Sequence, residues 1–347
     1  MSELSGLQNS KVLVTGASGS LGKQLLYQLC KAGTKPMAHM RGSSDSSLAD
    51  SLGLEKRIAD ICSREQLHGL VEGIDAIIHT AAWVNFRKDR LTQFTALNTV
   101  AAVELFRAAA EAGVRRFVHV STVAALGALP RGARMEETRT GDLITEQDKF
   151  NLGHLSIPYI MTKHAAEAEL RKAAEEAGTE LVIVSPSVIV APSRTGDDRG
   201  KASKMFDRLF FPVVPVRVNL VDIRDVATGI VAALQKGKPG ERYLLTGDNI
   251  SVGDLVLAVS AVLGKSPHLV RPPRALLSGA ARLSVLFSRL TGRSKLSFYP
   301  DIVRLLDFDW VYSSAKAREQ LGFQSRSIHS TLNDLLNNNF TGSYMKP

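Results

Sequence analysis

The chain has 347 residues, of which 44% are hydrophobic and 22% charged, a composition that excludes a largely disordered protein. Its net charge of +9 is scattered, without interleaved aromatic residues or a recognisable binding module, so we expect no nucleic-acid partner. The two cysteines, Cys30 and Cys62, lack metal-ligand spacing, which predicts no metal site and favours a reducing, cytoplasmic setting. We find no apolar stretch long enough to span a membrane and no signal peptide.

Short apolar runs alternate with helical patterns through the first half of the chain. We predict strands at 12–14, 37–40, 57–59, 74–79, 116–120 and 180–185, and helices near 21–31, 64–70, 91–112 and 157–175. Strands separated by helices form βαβ units, whose crossovers require a parallel sheet buried on both faces. The pattern therefore predicts an α/β fold with a Rossmann-type doubly wound parallel sheet.

A glycine-rich segment lies between the first predicted strand and the first predicted helix. A strand that turns on glycines into a helix lets the backbone approach a pyrophosphate and points helix N–H groups at it. This position predicts a dinucleotide site, the alternative being a tight turn that binds nothing. The residues expected to contact the dinucleotide are Thr15, Gly16, Ser18, Gly19, Ser20, Leu21 and Gly22.

Arg41 follows the second predicted strand, where the adenosine ribose would lie. An acidic residue there would bind the 2′-hydroxyl of NAD, whereas an arginine would pair with the 2′-phosphate of NADP. Two serines follow closely and no carboxylate occurs before Asp45, so NADP(H) is favoured over NAD(H); the alternative is a solvated arginine at a strand end. Asp60 and Ile61, after the third strand, suit an adenine contact, although such an aspartate can equally be a simple cap.

Tyr159 and Lys163 are four residues apart on a predicted helix and therefore share one face. Ser121 and Thr122 follow the fifth strand, at the edge where ligands bind in open α/β folds. A carbonyl that accepts hydride needs a nearby proton donor, and a tyrosine pKa of about 10 is too high for efficient exchange at neutral pH. We therefore expect Lys163 to lower the pKa of Tyr159, and a hydroxyl of Ser121 or Thr122 to orient the carbonyl.

The chain becomes less regular after residue 191. A polar loop is expected at 194–204, a core segment at 220–226, a helix near 227–235, a strand at 242–245 and a helix at 254–263. We expect an N-terminal extension (1–10), a mainly dinucleotide-binding Rossmann domain (11–190) and a smaller, mainly substrate-binding lobe (191–347), with 217–245 returning to the core.

The stretch 271–296 is basic and mildly amphipathic. Between Arg271 and Pro300 there are six lysines or arginines and no acidic residue. This stretch would suit the surface of an anionic membrane and the entry of an apolar substrate. We favour the alternative, a helix packed on the small lobe with its basic face in water.

Taken together, the motifs resemble those of the extended short-chain dehydrogenases/reductases, in the NAD-dependent epimerase/dehydratase family, over nearly the whole chain. The matching segments are 15–22, 60–61, 79–82, Asn98, 118–127, 159–163, 185–187, 221–227, 311–317 and 321–323. The resemblance implies that Thr122, rather than Ser121, acts with Tyr159 and Lys163 in catalysis. It adds Thr80, Ala81, Ala82, Asn98 and Pro186 to the cofactor-binding residues, which include Tyr159 and Lys163. It also implies a homodimer through helices near 91–112 and 157–175.

Within this family the sequence is most similar to dihydroflavonol 4-reductase-like and 3β-hydroxysteroid dehydrogenase-like members. The resemblance implies an NADPH-dependent reductase for a ketone or aldehyde of a small to medium apolar molecule. The second half is also similar to hopanoid-associated sugar epimerases, but Ser185 stands where sugar-nucleotide members often carry arginine, which argues against an epimerase or dehydratase with tightly held NAD(P). A third hypothesis, a non-catalytic NADP-sensing or assembly protein, needs no acid–base residues and is disfavoured by Thr122, Tyr159 and Lys163.

Overall fold

Parallel strands form a central sheet through the middle of the protein. The computed structural model describes residues 10–84, 91–131, 143–193, 197–207, 210–273, 275–276, 300–337 and 339–340. The strands are β1 (Val12–Thr15), β2 (Met37–Met40), β3 (Lys56–Ile58), β4 (Ala76–His79), β5 (Arg116–Val120), β6 (Leu129–Pro130), β7 (Glu180–Pro186), β8 (Val188–Val190), β9 (Phe210–Pro212), β10 (Arg217–Asp222), β11 (Arg242–Leu245), β12 (Asp248–Ser251), β13 (His268–Val270) and β14 (Phe308–Asp309). The α-helices are α1 (Ser20–Lys31), α2 (Ser47–Ser51), α3 (Arg64–Val71), α4 (Leu91–Phe94), α5 (Ala101–Glu111), α6 (Pro158–Glu175), α7 (Asp198–Met205), α8 (Ile223–Lys236), α9 (Val252–Leu263), α10 (Pro300–Leu305), α11 (Ala315–Leu321) and α12 (Ile328–Leu336).

Seven strands make up the central sheet in the order β11-β7-β5-β4-β1-β2-β3, and every neighbouring pair is parallel. Helices α1 and α8 cover one face, and α3, α5 and α6 cover the other. Strands β1 and β4 are buried along their whole length because both of their faces are covered. The predicted Rossmann-type doubly wound fold is confirmed. Its strand order reverses between β1 and β4, which opens a crevice at their carboxyl ends.

The second half of the chain builds a smaller sheet beyond the end of β7. Strand β8 follows β7 after a single residue, Ser187, and pairs in parallel with β10, which pairs antiparallel with β12. Strand β11 then joins the central sheet beside β7, with Leu244 opposite Ser185. The chain therefore passes between the two parts repeatedly, and the division into 11–190 and 191–347 stays a prediction.

Side chains of the segment 221–227, at the start of α8, bind side chains of the C-terminal helix α12. Asp222 caps α8 by accepting from the Arg224 N–H at 2.8 Å, and it accepts from the Thr331 hydroxyl of α12 at 2.9 Å. The Arg224 guanidinium binds Asp222 at 2.7 Å and Asp334 at 2.9 Å. Because Asp222 and Arg224 are both buried, these mutual bonds replace their hydration. The network fixes β10, which ends at Asp222, beside the crevice.

Two local predictions differ from the structure. The predicted helix at 91–112 changes to a π-helical turn over Thr95–Val100, where Asn98 turns its side chain onto the backbone of Trp83. The predicted loop at 194–204 was wrong for its second part, which forms α7. Asp197 caps that helix by accepting from the Gly200 N–H at 3.1 Å. Helix α7 buries no residue, so it leaves no apolar period to detect in the sequence.

Most of the basic stretch 271–296 lies outside the described residues, which include only 271–273 and 275–276 of it. The membrane contact and the favoured alternative, a helix packed on the small lobe, therefore both stay predictions, as does the homodimer. Within the described part of the chain, none of the helices combines the length and the apolar character needed to cross a bilayer.

Candidate active site

Two adjoining cavities lie at the carboxyl ends of the central strands. The glycine-turn cavity has a volume of about 620 Å³ and the tyrosine cavity about 680 Å³. They share Leu21, Thr80 and Ala82 as walls and so form one cleft. The predicted residues that line the glycine-turn cavity are Gly16, Ser18, Gly19, Ser20, Leu21, Gly22, Arg41, Asp60, Ile61, Thr80, Ala81 and Ala82. Those that line the tyrosine cavity are Leu21, Thr80, Ala82, Thr122, Tyr159, Lys163 and Pro186.

The turn between β1 and α1 is packed so closely that two of its positions require glycine. Gly16 has a φ of +68°, and a Cβ there would lie 2.9 Å from the backbone of Ala81. A Cβ on Gly22 would lie 2.2 Å from the carbonyl oxygen of Gly16. The backbone itself therefore forms the cavity wall at the N-terminus of α1, where helix N–H groups favour an anion. This cradle fits the pyrophosphate of a dinucleotide.

Arg41 lies on the opposite wall of the same cavity. Its side chain is exposed and makes no hydrogen bond or ion pair with the described part of the chain. The nearby carboxylate of Asp45 binds the Lys23 ammonium at 2.5 Å instead of lining the cavity. Hydrogen bonds from Lys23 and Ser47 hold the pKa of Asp45 well below its usual range. The ribose end of the cavity is therefore positive.

Asp60 and Ile61 line the cavity after β3. One Asp60 carboxylate oxygen accepts from the Cys62 N–H at 3.0 Å, so this residue caps its own turn while its exposed side chain faces the cavity. The cap and the predicted adenine contact are compatible. Trp83, which stacks on Phe94 with ring centroids 5.0 Å apart, forms a further wall that no motif indicated.

Thr122, Tyr159 and Lys163 come together at the floor of the tyrosine cavity. Thr122 and Tyr159 both line this floor, and the Thr122 side chain acts to lower the pKa of the phenol. The Lys163 ammonium donates to the carbonyl of Val120 at 2.7 Å and lies 3.3 Å from Nε2 of His119. Lys163 is only 2% exposed, and this burial lowers its pKa from 10.5 to about 8, with the charge of Glu167 acting in the opposite direction.

The expected effect of Lys163 on Tyr159 is not met in this structure. Burial of the phenol raises the pKa of Tyr159, and the Thr122 side chain opposes that shift. The expectation was wrong because it counted the neighbouring cation and left out the desolvation of the phenol.

Two predicted cofactor contacts, Thr15 and Asn98, are not brought to the cleft surface. The Asn98 carboxamide accepts from the Trp83 N–H at 2.8 Å and donates to the Trp83 carbonyl at 3.1 Å and to Thr162 at 3.3 Å. The Thr15 hydroxyl lies 2.8 Å from Nδ1 of His79, beneath the glycine turn. Since these polar groups are used inside the protein, both residues hold cleft-forming segments in place.

The outer wall of the tyrosine cavity is mostly apolar and comes largely from segments without a motif. It includes Val84, Val123, Ala124, Ile160, Ser187, Val188, Ile189, Val218, Asn219, Leu305, Trp310 and Tyr312. The polar groups of Asn219, Trp310 and Tyr312 are hydrogen-bonded within the protein. Asn219 donates to the Asn249 side chain (2.6 Å), Trp310 to the Leu305 carbonyl (3.2 Å) and Tyr312 to the Gly127 carbonyl (2.6 Å). Among the described residues that line this cavity, Lys163 is the one charged side chain.

Two serines near the end of β7 differ in their surroundings. Ser187 lines the tyrosine cavity and is 8% exposed, and its buried hydroxyl has no hydrogen-bond partner within the described structure. Ser185 is fully buried and does not line the cavity. The sequence argument from Ser185 against a sugar-nucleotide substrate was therefore wrong, because a side chain at 185 would face the protein interior.

Comparison with known proteins identifies the family. The model of the NAD dependent epimerase/dehydratase family matches residues 12–246. The chain is 31% identical over 328 residues to sterol demethylase protein B of Methylococcus capsulatus, which covers 93% of this chain and 96% of that protein. It is 25% identical over 331 residues to 4-hydroxy-2-methyl-3-oxo-4-farnesyl-3,4-dihydroquinoline-1-oxide ketoreductase of Stigmatella aurantiaca, with coverages of 92% and 93%. A solved nucleoside-diphosphate-sugar epimerase from Pseudomonas aeruginosa shares the fold alone: its TM-score is 0.71 at 23% identity, over 96% of this chain and 99% of that one.

The family match covers most of the chain, including the glycine turn and the segments that carry Thr122, Tyr159 and Lys163. Members of this family bind NAD(P) nucleotides, in agreement with the cradle at the start of α1. The resemblance to extended short-chain dehydrogenases/reductases is thus confirmed: the chain belongs to the NAD dependent epimerase/dehydratase family and is an NAD(P)-dependent oxidoreductase.

Proposed function

We propose that this protein is an NADPH-dependent reductase that acts on a ketone or aldehyde of a small to medium apolar molecule. The observation that carries the proposal is the meeting of Thr122, Tyr159 and Lys163 on the floor of a cavity whose other walls are mostly apolar. This cavity is continuous with the glycine-turn cavity, so a dinucleotide held by the cradle would extend toward the three side chains.

A bound nicotinamide supplies the hydride that reduces the carbonyl carbon. Tyr159 donates its phenolic proton to the carbonyl oxygen, and the Thr122 hydroxyl, which lines the same floor, orients that oxygen. The Lys163 ammonium, fixed by the Val120 carbonyl, would bind the ribose of the nicotinamide. The largely apolar walls of the cavity lower the local dielectric constant and so strengthen these interactions.

Arg41 supports NADPH as the preferred cofactor. Its guanidinium faces the cavity without a partner in the described chain, and a phosphate accepts hydrogen bonds from such a planar donor well. The carboxylate that would favour NADH is missing from this wall, since Asp45 is paired with Lys23. We therefore assign the 2′-phosphate to Arg41.

The walls of the tyrosine cavity support an apolar substrate. Binding a sugar diphosphate would require charged or polar partners, yet Lys163 is the only charged group among the described lining residues. Two relatives carry names that refer to apolar molecules, a sterol and a farnesyl-substituted ketone. An epimerase or dehydratase that holds NAD(P) tightly is the competing function, favoured by the family description and by the epimerase of the same fold. A non-catalytic NADP sensor would have no use for the three converging side chains.

The test is NADPH oxidation with a panel of apolar ketones and aldehydes, compared with nucleotide-sugar epimerisation without added cofactor. We expect turnover in the first assay, and we expect Tyr159→Phe to lower kcat by about 100-fold or more, the usual contribution of a general acid. NADPH binding should persist, because the phenol hydroxyl is removed without changing the cradle. Tyr27→Phe on α1 is the matched control and should turn over normally.

Two results would contradict the proposal. Epimerisation of nucleotide sugars without reductase turnover would favour the competing function. Unchanged reduction by Tyr159→Phe would remove the tyrosine from the reaction.

A further inference from the structure

A buried carboxylate lies one helical turn beyond Lys163 on α6. Glu167 is 2% exposed. One of its oxygens accepts from the Ser121 hydroxyl and the other from the Arg242 guanidinium. A buried carboxylate is stable only when its oxygens are paired in this way, so the arrangement is specific.

The partners of Glu167 connect it to the active site. Ser121 lies between Val120, whose carbonyl holds the Lys163 ammonium, and Thr122, which lines the tyrosine cavity with Tyr159. Arg242 comes from β11, the outermost strand of the central sheet. Glu167 therefore joins α6 to the end of β5 and to the sheet edge, directly behind the residues assigned to catalysis.

The charges around Lys163 give Glu167 a second effect. From β5 and β4, His119 and His79 face the ammonium, and burial lowers the pKa of both, so neither carries charge at neutral pH. From its own helix, Tyr159 is an uncharged phenol. Glu167 is the group whose negative charge raises the pKa of Lys163 against the effect of burial. An ammonium in this position depends on that charge.

We propose that Glu167 is a positioning residue: through Ser121 it fixes the Val120 carbonyl at the end of β5 and the Thr122 hydroxyl that follows, and it places a carboxylate one helical turn from the Lys163 ammonium. It touches neither substrate nor cofactor. The inference rests on the proposed function for the roles of Lys163 and Thr122, but the link between Glu167 and Lys163 can be measured without turnover.

The direct test titrates Lys163 in protein labelled with ¹³C at the lysine Cε, with the resonance assigned by its loss in Lys163→Arg. We expect the Lys163 midpoint to fall by at least about one pH unit in Glu167→Gln, because a buried ammonium loses a nearby negative charge. The matched control is Glu169→Gln, an exposed glutamate on the same helix, which should leave the midpoint unchanged. A midpoint unchanged in Glu167→Gln would overturn the proposal, whether or not the protein proves to be a reductase.

Turnover provides the second readout. If Lys163 must be charged, kcat falls above its midpoint. Glu167→Gln should therefore lose at least about tenfold in kcat near pH 8.5 and recover near pH 6. A merely structural role would lower kcat equally at both pH values. Should Glu167→Gln not fold, Arg242→Gln is the second variant. It removes a positive charge near Lys163 instead of a negative one, so the Lys163 midpoint should move upward. A midpoint that stays or falls in Arg242→Gln would contradict the proposal.

Discussion

Arg41 is a single side chain at the ribose end of the cleft, and its effect on cofactor choice can be isolated. Arg41→Ala should raise the Kd for NADPH at least about tenfold, since a charge-assisted bond to phosphate contributes roughly 1.5–3 kcal/mol. The Kd for NADH should hardly change, because a 2′-hydroxyl gains little from a guanidinium. Fluorescence titration of both nucleotides measures the difference.

Arg107→Ala, on the exposed side of α5, is the control for Arg41 and should bind both nucleotides normally. If Arg41→Ala raised the Kd for NADPH and for NADH equally, the arginine would contact a part of the molecule that the two nucleotides share. Tighter binding of NADH than NADPH by the unaltered protein would overturn the assignment of the 2′-phosphate.

At the residue scale, the sequence predicts a position well when residues nearby in the chain determine which amino acid is required there. Gly16 and Gly22 are recognisable because backbone conformation and close approach demand glycine within a few residues. The direction of a side chain is not local, which is why Asn98 was assigned to the cleft although it turns onto Trp83. Glu167 was missed because its partners, Ser121 just after β5 and Arg242 on β11, are far away in the chain.

The glycine turn is an element whose packing can be tested against another glycine. Gly22→Ala should lower the free energy of unfolding by roughly 1–3 kcal/mol, because the new methyl group would overlap the Gly16 carbonyl oxygen and force the turn apart. Dinucleotide affinity should fall at least about tenfold as the cradle opens. Chemical denaturation and NADPH titration measure the two effects.

Gly69→Ala in α3 is the matched control for Gly22→Ala. Position 69 has open space around it, and alanine favours a helix, so this variant should be equally or more stable. If Gly22→Ala were as stable as Gly69→Ala and bound NADPH normally, the turn would accommodate a Cβ at position 22, contrary to its close approach to the Gly16 carbonyl oxygen.

Elements with a strong apolar period were predicted well, and those held by polar contacts were not. The strands of the central sheet are continuous apolar runs because helices cover both faces. Helix α7 has no buried face, and the π-helical turn near Asn98 depends on a bond to another segment. The cavity wall from Leu305 to Tyr312 carries ordinary packing residues, whose neighbours no motif could reveal.

At the scale of the whole molecule, two buried histidines make stability depend on pH. Burial lowers the pKa of His79 from 6.5 to about 3 and holds that of His119 well below its usual range. Between about pH 6.5 and 3 the unfolded chain therefore binds more protons than the folded one, so stability falls as the pH falls. His79 should contribute about 1.4 kcal/mol per pH unit in this window, and His119 should act in the same direction.

Urea denaturation between pH 7.5 and 4.5 tests this dependence. His119→Gln should have a shallower loss of stability with acid than the unaltered protein, since one histidine no longer titrates on unfolding. His68→Asn, at an exposed position on α3, should keep the original slope. A slope that is the same in all three proteins would mean that the buried histidines do not govern acid sensitivity.

The place of β11 in the central sheet has a consequence for how the chain is made. Strand β7 has no outer neighbour until β11 has been synthesised, and β11 follows β8, β10 and α8 along the chain. On the ribosome, the edge of the Rossmann sheet at β7 therefore stays unpaired until β11 has been translated. During the same interval Glu167 lacks its ion-pair partner, Arg242. The central sheet and the surroundings of Glu167 are complete only when a strand from the second half of the polypeptide arrives, so the nucleotide-binding part cannot finish folding before residues 242–245 have been made.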